Sequence, residues 1–407
     1  MSEVIEIARL GAQGDGITAE GVYVPFTLPG ERVRLCRAGD RGWPEAVLTP
    51  SADRVAPPCP HFTRCGGCAM QHAGDVAVAA WKRNVLEATL AARGIEGVKI
   101  RPMVTVPPRA RRRITVAARR GRKGVQIGFH ARGGTEIVAL ARCEVAHPDL
   151  VGALGRLEEL VLTGASRKGE IRITLTLSEA GVDCAVTGAK TLDGLGMALL
   201  AGAATRADLA RLAWNGEVAV TRSPPVQRMG RARVVPPPGG FLQPTREGTE
   251  ALLAAVAEAV GPAARLADLF AGAGTFALPL AERAEALAVE GEAPALAALD
   301  AGWRGCPGLK RVVCLRRDLF NRPLRGMEMR GLDAVVMDPP RAGARAQAEQ
   351  LAEGGPPRIA SVSCNAATFA RDARVLIDGG YRLDWIRPVD QFRWSPHLEL
   401  VGAFSRA

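Results

Sequence analysis

The sequence predicts an α/β protein in three parts: a small N-terminal β barrel, a central antiparallel β region and a C-terminal parallel sheet with crossover helices. Short strand-like runs separated by glycine turns fill residues 1–50. Apolar and polar residues alternate over much of 112–187, as in antiparallel strands with one exposed face. From 241 to the end, helical and strand-like segments alternate, which is typical of a parallel sheet. We therefore place domains at 1–50, 51–240 and 241–407.

The first two parts contain several recognisable elements. Strand-like runs at 4–10, 22–26 and 33–35 surround a glycine-rich turn at 11–16, and the proline-rich stretch 50–60 fits a linker. Apolar spacing predicts a helix over 75–97, which packs with either the central or the C-terminal domain. Strands are expected at 114–117 and 171–177, and an Ala- and Leu-rich helix at 191–213. The C-terminal part reads as helix 249–260, strand 265–270, helix 276–284 and strand 286–290.

The net charge of +11 comes from one window. Residues 99–143 hold twelve Lys or Arg and one acid, while the rest of the chain is balanced. Such an excess favours a polyanionic partner such as RNA, because neutralised phosphates release counterions. The alternative is a solvated face in an arginine-rich chain. The basic residues are Lys99, Arg101, Arg109, Arg111, Arg112, Arg113, Arg119, Arg120, Arg122, Lys123, Arg132 and Arg142.

No signal for a membrane or for secretion is visible. No apolar run reaches the roughly 20 residues that span a bilayer, and residues 1–10 lack a basic start followed by an apolar stretch. We therefore expect a cytoplasmic protein without a membrane partner, and a monomer as the simplest state. In a reducing compartment the nine cysteines are expected to bind metal, catalyse or pack rather than form disulfides.

Cys59, Cys65 and Cys68 form a C-x5-C-x2-C cluster in which a glycine pair permits a tight fold. Cys143 is a candidate fourth ligand from a distant strand, and His61 and His72 are alternatives. Four thiolates suit either zinc or an iron–sulfur cluster. The residues alone do not choose between the two.

A ligand pocket is predicted where the C-terminal strands end. Residues 268–276 (DLFAGAGTF) follow an apolar strand and open a helix, and their glycines let a ligand approach the backbone. Glu290 ends the next strand, where an acid can accept ribose hydroxyls, and Asp318 ends a third. The third glycine of a dinucleotide-binding turn is missing, so a nucleoside donor such as S-adenosylmethionine fits better than a dinucleotide.

Three further residues supply reactive groups. Asp338 ends a strand and precedes two prolines, which make a rigid loop at the edge where ligands bind. Cys364, in the run SVSCN, supplies a thiol, the best side-chain nucleophile near neutral pH. Glu399 lies on a late strand and is a candidate base. Each signal is weak alone, because such residues also occur as buried thiols and strand-ending turns.

Together the motifs resemble the RNA uracil-5-methyltransferase family, in its iron–sulfur branch that modifies 23S rRNA. The resemblance covers nearly the whole chain and implies an N-terminal TRAM (OB-like) barrel, a central β domain with a 4Fe-4S cluster and a Rossmann-like S-adenosylmethionine methyltransferase domain. The motifs that carry it are PCPHFTRCGGCAMQH (58–72), IGFHARGGTEIVALARC (127–143), GGFLQPT (239–245), DLFAGAGTFALPLA (268–281), DPPRAG (338–343), SCNAATFARDARVLIDGGY (363–381) and DQFRWSPHLELV (390–401).

The resemblance implies a role for each matching residue. Cys364 would attack C6 of uracil and Glu399 would remove the C5 proton. The cluster ligands would be Cys59, Cys65, Cys68 and Cys143, and the donor and uracil pocket would be lined by Gln243, Phe270, Thr275, Glu290, Asp318 and Asp338. The chain departs from the family in having Thr275 where Asn is frequent and FLQPT in place of FxQ-x-N.

Three other functions compete with methylation of a single-stranded or loop uridine in 23S rRNA. Methylation of an amino nitrogen uses similar DPP loops but needs no cysteine. A non-catalytic iron–sulfur protein that binds RNA would need no donor pocket. A tRNA substrate would keep the chemistry, but the resemblance favours rRNA because the tRNA-specific branch lacks the cysteine cluster.

Overall fold

The N-terminal strands close into a barrel with neighbour order β1-β2-β3-β5-β4, in which β1 also pairs with β4. The structure is a computed structural model that describes residues 2–121, 124–166 and 169–406. In β4 alternate side chains are buried, so that Val33 and Leu35 meet Ile7 inside the barrel. The strands are β1 (Ser2–Leu10), β2 (Gly16–Thr18), β3 (Tyr23–Val24), β4 (Arg32–Ala38) and β5 (Arg41–Thr49).

A connecting segment follows the barrel and contains α1 (Asp75–Ala91), β6 (Lys99–Ile100) and β7 (Val104–Thr105). The central domain comes next. Its elements are β8 (Arg113–Gly121), β9 (Gly124–His130), β10 (Ile137–Ala139), α2 (Pro148–Leu154), α3 (Glu158–Gly164), β11 (Glu170–Ser178), β12 (Gly181–Thr187), α4 (Gly194–Arg206), β13 (Leu209–Trp214) and β14 (Glu217–Thr221).

The central strands form one sheet in the order β10-β9-β8-β11-β12-β13-β14, and the three helices cover its buried face. All neighbouring strands are antiparallel except β12 and β13, which α4 connects. The predicted helix 191–213 is therefore too long. Asp193 caps α4 by accepting from Gly196 N, and Asp208 turns the chain at φ +55°. The fully buried run 209–214 then forms a strand, because sheet packing on both sides overrides helix propensity.

A hairpin of β15 (Gln227–Met229) and β16 (Ala232–Val234) leads to the C-terminal domain. Its elements are α5 (Arg246–Val260), β17 (Arg265–Leu269), α6 (Ala277–Leu280), β18 (Glu285–Glu290), α7 (Ala293–Arg304), β19 (Val312–Arg316), β20 (Ala334–Met337), α8 (Arg345–Gly354), β21 (Arg358–Ser363), α9 (Ala366–Asp378), β22 (Arg382–Asp390) and β23 (Glu399–Ser405). The predicted helix 276–284 is reduced to the short α6, in which Pro279 lacks an N–H donor.

The C-terminal strands lie in the order β19-β18-β17-β20-β21-β23-β22-β6. The first five are parallel, and β23 is antiparallel to both its neighbours. Strands β6 and β7 pair with β22 at the sheet edge, and α1 packs against α9. The segment between the barrel and the central sheet thus packs with the C-terminal domain. The strand orders confirm the predicted α/β fold class. No helix among the described residues is long and apolar enough to cross a membrane.

Candidate active site

The predicted site residues of the C-terminal domain gather at one edge of its sheet. Strand β17 has β18 on one side and β20 on the other, so the crevice beyond their carboxyl ends is a topological switch point. Asp338 follows β20, and Cys364 follows β21. Glu399 begins the antiparallel β23, whose next residue, Leu400, pairs with Ser363. The antiparallel register therefore places the candidate base beside the candidate nucleophile.

The loop after β17 forms one half of the crevice. Phe270 is held at φ +63°, which is uncommon for a residue with a side chain. Gly272 N donates to Glu290 Oε2 at 2.8 Å, and Glu292 N donates to Glu290 Oε1 at 2.8 Å. A Cβ on Gly274 would lie 2.7 Å from Leu278, so this close turn requires glycine. The contacts fix the Glu290 carboxylate beneath the glycine loop.

Buried Asp268 supports the same loop from below. Its Oδ2 accepts from Ala277 N at 2.8 Å, while Oδ1 has no hydrogen-bond partner among the described residues. Burial raises its pKa well above the ordinary value, and the carboxylates of Asp338 and Glu290 add to the effect. Sequence reasoning did not assign Asp268 a role. Its contact with α6 shows that it fixes the loop.

Aromatic residues form the outer wall of this half. The rings of Phe270 and Phe320 lie 5.4 Å apart in a tilted pair. Asp318 lies just beyond β19, exposed, and accepts from Phe320 N at 2.9 Å and from Asn321 Nδ2 at 2.6 Å. Thr275 is half-buried in the glycine loop. Sequence reasoning missed Phe320, although its position two residues after Asp318 was a usable signal.

A chain of hydrogen bonds forms the other half of the crevice. Gln243 Nε2 donates to Asp338 Oδ2 at 3.3 Å. Gln391 Nε2 donates to Gln243 Oε1 at 2.7 Å and to Glu399 Oε2 at 3.3 Å. Gln243, Gln391 and Glu399 are each no more than 4% exposed. Gln391, which the sequence did not single out, thus connects the two candidate acids through a fixed pair of amides.

Burial raises the proton affinity of the acids and of the thiol in this half of the crevice. Burial raises the pKa of Asp338 and of Glu399, and the Asp338 carboxylate raises that of Glu399 further. Burial, followed by the carboxylates of Glu399 and Asp338, raises the pKa of Cys364 to about 11, although Arg341 acts in the opposite sense. The resting thiol is therefore protonated at neutral pH, and a carboxyl group with elevated proton affinity lies beside it.

Four cysteines of the predicted cluster line a separate cavity of about 340 Å³. Cys59, Cys65, Cys68 and Cys143 all face it, together with Arg111 and residues of the segment 392–397. Backbone amides approach two of the sulfurs: Gly67 N lies 3.5 Å from Cys65 Sγ, and Ala146 N lies 3.3 Å from Cys143 Sγ. Burial raises the pKa of Cys68 to about 12 and also raises those of Cys65 and Cys143.

Over the described ranges, no group of three or more His, Cys, Asp and Glu side chains is arranged to hold a metal ion. Of the two histidine alternatives, His61 also lines the cavity, whereas His72 lies outside its lining. His61 Nε2 accepts from Ala141 N at 3.3 Å. The buried His72 ring stacks on Phe62 with a centroid distance of 5.7 Å.

The basic window is more dispersed than a single exposed patch. Arg112 is 6% exposed and donates to Gln243 O at 3.1 Å, so it supports the crevice, and burial lowers its pKa to about 10. Arg101 pairs with Glu258, and Arg109 and Arg142 both pair with Glu144. Arg122 and Lys123 lie outside the described residues. Carboxylates outside the window therefore neutralise part of its excess positive charge.

Comparisons with known proteins agree with this geometry, although no family model matches the chain. A Brucella suis biovar 1 protein described as an uncharacterized RNA methyltransferase is 43% identical over 99% of this chain and 97% of its own length. The 23S rRNA (uracil(1939)-C(5))-methyltransferase RlmD of Bordetella avium is 32% identical over 99% of this chain and 91% of its own. The solved structure of Pyrococcus abyssi tRNA (uracil-54, C5)-methyltransferase with S-adenosyl-L-homocysteine has the same fold, with a TM-score of 0.77 and 24% identity, over 98% of this chain and 99% of that one.

Proposed function

Because the chain belongs to the RNA uracil-C5 methyltransferase family, we propose that it transfers a methyl group from S-adenosylmethionine to C5 of one uridine in 23S rRNA. The observation that carries this proposal is the meeting of Cys364 and Glu399 at the strand ends, linked to Asp338 by two buried amides. The reaction needs a nucleophile and a base, together with a crevice beside them that binds the donor.

The donor occupies the half of the crevice formed by the glycine loop. Glu290 would accept hydrogen bonds from the ribose hydroxyls, because its carboxylate is already fixed at the carboxyl end of β18. Phe270, with Phe320 beside it, provides an apolar surface for the adenine, while Thr275 and Asp318 complete the lining. When bound, the donor supplies an electrophilic methyl group on a sulfonium sulfur.

The uracil occupies the half formed by Gln243, Asp338, Cys364 and Glu399. The Cys364 thiol releases its proton to solvent and its sulfur bonds to C6, so that the C5–C6 π electrons move into an enolate and make C5 nucleophilic. C5 takes the methyl group, whose bonding pair to sulfur would stay on the donor, and Glu399 then removes the C5 proton. The C5–C6 double bond re-forms, the S–C6 bond breaks, and the Cys364 thiolate leaves. Gln243 and Asp338 hold the polar edge of the base and discriminate against cytosine.

The raised pKa values suit this sequence of events. Because burial favours the neutral form of Asp338 and Glu399, a neutral base enters this half of the crevice at lower desolvation cost than it would beside two permanent carboxylates. Extrusion of the uridine from its stack costs roughly a few kcal/mol, and less in a single-stranded loop. We therefore propose a loop uridine as the acceptor.

The cysteine cavity suits a 4Fe-4S cluster better than a single zinc ion. Its four thiols line one cavity of about 340 Å³, and backbone N–H groups donate to two of the sulfurs, an arrangement that tunes the clusters of iron–sulfur proteins. Cys59, Cys65, Cys68 and Cys143 would be the ligands. When bound, the cluster would supply a covalent cross-link between the connecting segment and the central domain, and methyl transfer needs no electron from it.

The first test compares 5-methyluridine in a deletion strain and its parent, by mass spectrometry of 23S rRNA and tRNA. Loss at one or two rRNA positions supports the proposal. Loss only in tRNA keeps the chemistry and changes the substrate, and no loss in either RNA contradicts the proposal.

The second test uses RNA that contains 5-fluorouridine, which lacks the C5 proton that the base must remove. Wild-type enzyme with donor should form a stable covalent RNA complex, and Cys364→Ser should form none. Cys306→Ser is the matched control, because Cys306 lies in the same domain outside the crevice. A Cys364→Ser protein with full turnover would exclude the nucleophile.

A further inference from the structure

Lys82 is a buried cation whose side chain is fixed by three acceptors. It lies on α1 and is 2% exposed. Its Nζ donates to Asp390 Oδ1 at 2.6 Å, to His397 O at 2.9 Å and to Phe392 O at 3.3 Å. All three acceptors lie more than 300 residues away in sequence. One side chain of the connecting segment therefore fastens a single stretch of the C-terminal domain.

That stretch is the loop 391–398, which joins β22 to β23 and ends immediately before Glu399. Lys82 contacts both of its ends, through Asp390 before the loop and His397 within it. Asp390 Oδ1 also accepts from Phe392 N at 3.2 Å. The first loop residue, Gln391, is itself the hydrogen-bond donor to Glu399. The loop thus determines where the carboxylate of the base lies.

A buried ion pair is a costly way to pack a helix. Desolvation of two charges offsets most of their attraction, so that apolar side chains of similar size often stabilise as well or better. Burial lowers the pKa of Lys82, and the Asp390 carboxylate opposes that change. An ammonium group has three donors, and here each meets a different acceptor on the same loop. These three hydrogen bonds hold the stretch from Asp390 to His397 in one orientation, which an apolar side chain could not do.

We propose that Lys82 is a positioning residue that holds Glu399 in place for removal of the C5 proton. The inference rests on the proposed function, since it assigns Lys82 to one step of that reaction. In this step the Glu399 carboxylate takes the C5 proton, the electrons of the C5–H bond form the C5–C6 double bond, and the Cys364 thiolate leaves. Lys82 donates no group to the substrate and acts through the loop alone.

The experiment compares wild type, Lys82→Met and the double variant Lys82→Met with Asp390→Asn. The single variant leaves a buried carboxylate without its partner, which is destabilising, whereas the double variant removes both charges. Each protein receives ordinary RNA and 5-fluorouridine RNA, and covalent complexes are measured on denaturing gels. Lys190→Met is the control, because Lys190 is an exposed lysine of the central domain.

Both variants should turn over ordinary RNA about 10- to 100-fold more slowly, the cost of misplacing a reacting group by about an ångström. The Kd for RNA should not change, and a covalent complex should accumulate on ordinary RNA because proton removal has become slow. Complex formation with 5-fluorouridine RNA should stay within about twofold of wild type, since it needs no base. The double variant should regain the melting temperature but not the turnover.

Two results would overturn the assignment. If the double variant regains turnover together with stability, the lysine serves only to pair Asp390. If complex formation on 5-fluorouridine RNA slows as much as turnover, Lys82 acts on the thiol or on RNA binding rather than on the base. Failure of the wild-type enzyme itself to form that complex would instead contradict the proposed function.

Discussion

Replacement of Gln391 by Met should shift the pH dependence of turnover upward. The Gln391 amide donates to Glu399 Oε2 at 3.3 Å and so stabilises the carboxylate form, which in the proposed reaction would accept the C5 proton. A hydrogen bond to a charged group contributes about 1.5–3 kcal/mol, and one pKa unit corresponds to about 1.4 kcal/mol. Because the bond is long, we take the lower end of that range. The pKa of Glu399, already raised by burial, should rise by about one unit more.

The assay is single-turnover release of free methylated RNA from the covalent complex, which requires removal of the C5 proton, at saturating donor between pH 6 and pH 10. The acidic limb of the rate profile should move up by about one unit, with about a tenfold loss below the midpoint and recovery above it. Gln347→Met is the matched control: Gln347 is equally buried and bonds Leu324 N and O at 2.8 and 3.0 Å. It should lose stability without moving the profile. An unchanged or lowered midpoint in Gln391→Met would refute the reasoning.

Three further predictions use other measurements. Burial raises the pKa of Glu399, so the protonated group contributes to the stability of the folded protein at low pH, and this contribution is lost as pH rises through the folded-state pKa. Glu399→Gln should therefore melt about 2 °C or more above wild type at pH 9 and at the same temperature as wild type at pH 4. Equal melting temperatures at pH 9 would contradict this. Cys68→Ala should lower the iron bound after anaerobic purification from about four atoms per chain to below about one, by iron and sulfide assay, whereas Cys306→Ala should retain it; equal loss in both would argue against the ligand assignment. In Gly164→Ala the new Cβ would lie 1.9 Å from an indole carbon of Trp214, which should lower the free energy of unfolding, measured with denaturant, by about 1–3 kcal/mol. In the control Gly152→Ala the Cβ meets open space, so the free energy of unfolding should change by less than about 1 kcal/mol. A larger loss at Gly152 would count against the packing argument.

The sequence predicted the fold class because its periodicities are local. Strands in the barrel and the parallel sheet follow from alternation and apolar runs of a few residues. The exception, 191–213, shows where local reading fails. Its last residues, from 209 onward, belong to β13 because β12 and β14 offer edges on both sides. No window within that stretch contains this information, since it depends on how distant strands assemble.

The same distinction separates the site residues. The strand ends that carry Asp338 and Cys364 could be found from sequence, because an apolar run followed by a polar residue is a local signal. Gln391 and Lys82 could not. Gln391 is identified by its hydrogen bond to Gln243, which is 148 residues away. Lys82 is identified by its ion pair with Asp390, which is 308 residues away. A buried polar group is recognised as functional only when its partner is known.

The contacts of the loop 391–398 explain why parts of the chain that bear no donor or nucleophile belong to the catalytic unit. Lys82 fastens the two ends of the loop, and the amides of Ala69 and Met70 donate to Trp394 O at 2.8 and 3.1 Å at its centre. The cysteine cavity borders the same loop. A carboxylate placed by a loop is only as precise as the supports of that loop. Variation in the connecting segment should therefore affect proton removal before it affects donor binding, which depends on the glycine loop and Glu290 at the opposite half of the crevice.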